Sequence, residues 1–319
     1  MKKIIAAAVA TAFVAPAFAD VTVSGTFSEY LMNEKASQLE VDRHASETNI
    51  NINASTETNS GITVSGDFKL TQAGADYYGE GISLARSDFG KVSIGNPAGA
   101  LDAVDDKAEV LELMDPLTGS TDAMVLWQLP TMVENLAIYA SYSPKDGNAD
   151  TVTGSITGST IDYPNDSTGI ADDESGLALQ YTMGSVTFAY GQNDEASREA
   201  TFAGVTYSAN GLKVSYETLE QEYTAAVTTT ASDRAASATI AAGTEYESKV
   251  IGVQYDMGDV SLRALTTSRD TDGTQTHDRT AYGIHYNLGG GATFIAEAGS
   301  EDKASAQGEF TGVGIRYKF

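Results

Sequence analysis

Between Asp102 and Asp115 the chain places six carboxylates, Asp102, Asp105, Asp106, Glu109, Glu112 and Asp115, against one cation, Lys107, a net of −5 in fourteen residues. Carboxylates at this density suit three kinds of chemistry. They can stand in bulk water as a solvated run. They can hold a hard cation through oxygen ligands, calcium or magnesium, with Asp102, Asp105 and Asp106 as the set nearest in sequence, although the spacing matches no specific calcium loop. Or they can line a narrow aqueous passage, where low-dielectric walls focus their field on passing ions. The surrounding segment, 96 to 120, also carries Leu101, Val104, Val110, Leu111, Leu113, Met114 and Leu117. A free surface loop has no use for so many apolar side chains, so this segment must pack against something.

Catalysis finds little support. The chain has three histidines, His44, His277 and His285, and no cysteine, which removes thiolate chemistry, disulfides and thiolate metal sites. His44 and His277 fall in or beside expected loops. His285 is expected to face inward near a short turn, away from the outer rim where a Ser/His or Asp/His constellation would have to meet substrate. No catalytic residues are assigned, and a non-enzymatic function is expected. The formal charge is −25, which excludes nucleic acid as a natural partner.

The elements that must position these carboxylates are strands. The last eight residues alternate: Val313, Ile315, Tyr317 and Phe319 share one face, Gly314, Arg316 and Lys318 the other, as a period of two requires. A terminal Phe with Tyr two before it resembles the signal read by the bacterial barrel-insertion machinery, with Gly312 where that signal usually carries a polar residue. At the other end Lys2 and Lys3 precede an apolar stretch from Ile4 to Phe18, and Ala17-Phe18-Ala19 stands before Asp20. This is the layout of a secretory signal peptide over residues 1–19, too short to span a bilayer as a helix. Its removal leaves 17 basic against 44 acidic residues, a net of −27. No second apolar run of that length follows, so any membrane crossing must be made by strands, which lipid permits only in a closed barrel.

Sixteen strands are expected, near 21–31, 46–56, 61–71, 78–86, 91–95, 121–129, 134–143, 174–183, 185–193, 199–208, 212–222, 245–256, 260–269, 278–287, 292–300 and 308–319, an even number as in single-chain bacterial barrels. Three passages, 179–186, 253–260 and 284–291, repeat a strand, tight turn, strand design, and Asn210-Gly211 is a turn pair that accepts positive φ cheaply. Short turns should face the periplasm, and the long loops at 96–120, 144–173 and 223–244 should face outside. Tyr181, Tyr207, Tyr255 and Tyr286 all fall just before short turns, as an interfacial aromatic girdle would.

The stretch from Ile82 through Gly95 into Asn96-Pro97-Ala98-Gly99-Ala100, together with Tyr282-Gly283-Ile284 through Gly291-Ala292-Thr293-Phe294, resembles the general porins of Gram-negative bacteria, especially the compact acidic type of purple bacteria. The resemblance covers essentially the whole chain from residue 20 to 319. It implies an all-β transmembrane antiparallel barrel in the outer membrane, a homotrimer, and a third loop folded into the lumen as a constriction. The six carboxylates would form the negative side of that constriction. The pore wall would carry Arg43, Asn49, Asn51, Asn53, Asp67, Lys69 and Arg316, a thin basic half, so a cation preference is expected. Small outward residues, Val21, Val23, Ile50, Ile52 and Ala54, could pack on a neighbouring copy. Two alternatives stay open: a substrate-specific outer-membrane channel, which would need an inward stripe of aromatic rings or lysines, and a structural or adhesin barrel, which only conductance would separate from a pore.

Overall fold

The computed structural model describes residues 20–36, 39–71, 77–95, 97–105, 107–113, 123–144, 155–156, 159–160, 173–229, 238–303 and 306–319. Residues 1–19, the expected signal peptide, lie outside them.

Sixteen antiparallel strands close into one barrel: β1 (Asp20–Ala36), β2 (Leu39–Glu57), β3 (Thr63–Thr71), β4 (Tyr77–Arg86), β5 (Gly90–Gly95), β6 (Val125–Gln128), β7 (Leu136–Ser143), β8 (Glu174–Met183), β9 (Val186–Glu195), β10 (Arg198–Ala209), β11 (Leu212–Tyr223), β12 (Glu245–Met257), β13 (Val260–Thr271), β14 (Thr274–Gly289), β15 (Ala292–Lys303) and β16 (Ala306–Lys318). Each strand pairs with its sequence neighbour, and β16 returns to β1 from Thr26↔Lys318 to Ala36↔Gly308. The closure leaves no exposed edge. The chain terminus seals it: Gly25 and Phe319 exchange both backbone hydrogen bonds, at 3.0 and 3.1 Å, and the Phe319 ring stacks on Phe27 at 5.6 Å and on Tyr317 at 6.0 Å. Two short hairpins, Ser155–Ile156 with Ser159–Thr160 and Val227–Thr229 with Ala238–Ile240, stand apart from the barrel sheet.

The expected strands match these sixteen within a few residues, with one instructive exception. The first two expected strands leave 32–45 between them, but β1 runs on to residue 36 and β2 starts at residue 39. Asn33, Glu40 and Asp42 in that gap are polar. Above the lipid band both faces of a hairpin meet water, so alternation vanishes while the ladder continues.

Turns follow their chemistry. Asn210 and Gly211 sit at φ 54° and 79°, the positive-φ pair of a type I′ hairpin. Outward positions carry Leu177, Leu179, Tyr181, Phe188, Tyr207, Tyr255, Ile284, Tyr286, Ile315 and Tyr317, all exposed large apolar groups. On a water-facing wall that would be an aggregating surface; on a lipid-facing wall it is the ordinary solvent match. Tyr181, Tyr207, Tyr255 and Tyr286 all lie on this face close to the short-turn end. Val21 opposes Ala54 and Val23 opposes Ile52 there too.

A lumen loop on a carboxylate-studded wall

The inner wall is not uniformly polar. Ala178, Ala189, Ala200, Phe202 and Leu219 on β8–β11 form one buried patch, and Val250, Leu265 and Ala281 on β12–β14 form another. Inward apolar groups in a water-filled barrel need a cover, and the segment between β5 and β6 supplies it. Ala100, Leu101 and Val104 fill the first patch; Ala108, Val110 and Leu111 fill the second. Leu101, Val104, Val110 and Leu111, four of the apolar residues that make 96–120 a poor surface loop, therefore dock it inside the barrel, while Met114 and Leu117 lie outside the described residues.

Polar pegs fix its path. The base closes through Ala123 N donating to Pro97 O at 2.8 Å and Gly95 N donating to Met124 O at 3.0 Å. Ala100 N donates to Ser141 Oγ on β7 at 3.0 Å. On β11, Ser215 Oγ donates to Lys107 O and Glu217 Oε1 accepts from Ala108 N, both at 2.9 Å. Arg263 Nη1 on β13 donates to Val110 O at 2.8 Å. Glu297 on β15 takes two amides, Glu112 N at 2.9 Å and Leu113 N at 2.8 Å, and its Oε1 lies 2.6 Å from His285 Nε2 on β14. Glycines make the room: at Gly252 a Cβ would land on the Ala108 carbonyl, and at Gly312 on the Leu113 side chain.

The carboxylates expected at a constriction divide. Glu109 and Glu112 are exposed and Asp102 is half-buried. Glu112 pairs with Arg316, which places an expected wall residue directly on the loop. Asp105 is buried to 2% exposure, and its backbone N–H closes a helical turn onto Leu101 O at 3.2 Å. Asp106 and Asp115 lie outside the described residues. Among the described residues no three His, Asp or Glu side chains converge as a metal site.

Register puts Arg43, Asn49, Asn51, Asn53, Asp67 and Lys69 on the inward face of β2 and β3. Arg43 pairs with Glu34 at 3.1 Å, Asn49 Nδ2 donates to Glu47 Oε1 at 2.5 Å, and Asn53 donates to Asp67. The thin basic half of the sequence reading needs correction. Arg198, Lys213, Arg263, Arg269, Arg279, Arg316 and Lys318 all face inward, but on β10–β16, the wall that also carries the loop. Alternation against Leu212, Val214 and Tyr216 marks Lys213 as inward from sequence. Nothing local marks Glu217, Glu297 or Arg263 as pegs, because the partners lie 109, 185 and 153 positions away.

Many acids, in contrast, face out. At the long-loop end Glu199, Glu222 and Glu245 stand side by side across β10–β12, and Glu220, Glu247 and Asp270 across β11–β13. They rim an outer hollow of about 480 Å³. Much of the net charge therefore belongs to the outer rim and not to the lumen.

A family model described as Gram-negative porin matches residues 6–306. The chain belongs to the Gram-negative porin family. It is an outer-membrane channel of the general porin type and not an enzyme. Solved structures agree on the fold of this porin. An anion-selective porin from Comamonas acidovorans aligns with TM-score 0.69 at 10% identity, covering 94% of this chain and 100% of that one. Salmonella typhi OmpF in complex with daunomycin gives 0.67 at 12% identity, covering 94% and 98%. A mutant Rh. blastica porin gives 0.64 at 16% identity, covering 94% and 100%. No curated protein sequence matches the chain.

Proposed function

We propose that this porin is a water-filled diffusion pore for small hydrophilic solutes and ions, with the loop after β5 as its filter and a mild preference for cations. The observation that carries this reading is the docking of residues 100–113 on the inner wall, with Glu109 and Glu112 exposed on it. Asp102, Asp106, Glu109, Glu112 and Asp115 supply the negative side of the filter, while Asp105 is buried within the loop; Asn49, Asn51, Asp67, Lys69 and Arg43 stand on the early strands. The preference is mild because seven cations of β10–β16 also face the lumen and part of the acid lies outside it, so the opposing fields partly cancel.

The mature chain begins at Asp20, and the insertion machinery reads Tyr317 and Phe319. A homotrimer is favoured by the outer face of β1 and β2: Glu29 and His44, 2.5 Å apart and exposed, sit beside Phe27 and Leu31. The apolar strip and the polar pair at its upper edge together offer a neighbouring subunit a surface to pack on. A substrate-specific channel is the second reading, favoured by two tyrosines, Tyr223 and Tyr246, that face the lumen.

The test is the zero-current potential of the reconstituted protein between unequal potassium chloride solutions. A potential toward the potassium side supports the acidic filter. Open conductance with a chloride-leaning potential overturns it, and absence of conductance overturns the pore.

A further inference from the structure

Seven arginines fall in the described residues, and six of them are engaged. Arg43, Arg86, Arg198, Arg279 and Arg316 each hold a carboxylate, on Glu34, Asp88, Glu195, Glu301 and Glu112. Arg263 holds the Val110 carbonyl of the loop. Arg269 differs. Its Nε donates to Ser248 Oγ at 3.2 Å, and among the described residues its terminal nitrogens meet no carboxylate or carbonyl. Its guanidinium thus presents, among the described residues, a planar fork of donors matched to an oxyanion.

The surroundings are equally specific. Arg269 lies two residues from the outer end of β13, and register places it on the inward face opposite Ser248. Its guanidinium carbon stands 5.6 Å from the centre of the Tyr246 ring. Tyr246 meets Tyr223 edge-on, centroids 5.7 Å apart at 75°, and both rings face the lumen. Arg198 pairs across the ladder with Tyr223 and Arg279 sits one strand from Arg269, each already neutralised by its own glutamate. So a guanidinium with no carboxylate on its own fork sits beside two ring surfaces, on the outer side of the docked loop, and Tyr246 also borders the hollow rimmed by Glu199, Glu220, Glu222, Glu245, Glu247 and Asp270.

We infer that Arg269, Tyr246 and Tyr223 form a subsite in the outer vestibule for a small carboxylate that carries a flat ring. The carboxylate takes the Arg269 fork, and the ring packs on the tyrosine pair. The subsite holds an anionic solute at the entrance of a channel whose filter favours cations, and so gives such solutes a local concentration they would otherwise lack. This rests on the diffusion-pore reading.

The probe is benzoate, added to one side of single channels in planar bilayers, with acetate and neutral benzamide as comparators. Benzoate at the long-loop side is expected to interrupt the current at lower concentration than from the other side, and at lower concentration than either comparator. Arg269→Gln is expected to raise the half-blocking concentration about tenfold, the loss of one charge-assisted contact. Arg269→Lys is expected to restore part of the block. Tyr246→Leu is expected to bring benzoate down to the acetate level. Equal block of wild type and Arg269→Gln, or block by benzamide equal to that by benzoate, overturns the subsite while leaving the pore intact. Absence of any conductance overturns both.

Discussion

At the scale of single residues, Glu297 is the most consequential side chain on the inner wall. One buried carboxylate accepts two loop amides and faces the ring of His285, which is itself only 2% exposed. Replacing it with alanine leaves the part-buried Glu112 and Leu113 amides without their acceptor. The loop tip should detach while the barrel stays closed, so Glu297→Ala should raise single-channel conductance and current noise with strand content by circular dichroism unchanged. Glu217→Ala, which removes one bond, should do the same more weakly. The filter carboxylates separate by exposure: Glu109→Gln should lower potassium preference in the zero-current measurement. Asp105→Asn, at 2% exposure, should act mainly on loop stability. The carboxylate run was legible as a cluster, but which members face water was not. That depends on the helical turn at 101–105, which hides Asp105.

Elements show what patterns can and cannot carry. Strands such as those at 177–182, 212–217 and 313–319 had their faces written in a period of two, and the turn at Asn210-Gly211 was marked by residues at positive φ. The β1–β2 hairpin was read too short because both of its faces leave the membrane. The loop after β5 was recognisable as a docking segment by its apolar residues, though its route was not. The route is set by gaps in the wall, and Gly252 is the clearest: any side chain there strikes the Ala108 carbonyl. Gly252→Val should therefore displace the loop and alter conductance without opening the barrel, checked by the same single-channel recording. On the outer rim, Glu222 stands between Glu199 and Glu245. Like charges directly opposed across strands destabilise by about 0.2–1 kcal/mol a pair, so Glu222→Gln should raise the thermal unfolding temperature at low salt, and the gain should shrink as salt screens the repulsion.

For the whole molecule the closing strand is decisive. Removing Phe319 takes away the backbone pair with Gly25 and the ring stack on Phe27. Its deletion should reduce the yield of folded barrel in the outer membrane more than it changes the conductance of the channels that do assemble. The sequence by itself determined the class of this protein: an alternating, cysteine-free, strongly acidic chain with girdle tyrosines and a terminal aromatic has only a closed membrane barrel in which to satisfy its backbone and both of its faces. It also marked the segment after β5 as one that must pack against something. Only the tertiary structure decided where charge stands relative to the pore. The pegs Glu217, Arg263 and Glu297 meet the loop from more than a hundred residues away, and the inward cations gather on the same wall as the loop. The physical reason is that alternation assigns a side chain to a face, while barrel closure assigns it a neighbour, and the field felt by a passing ion is a sum over neighbours.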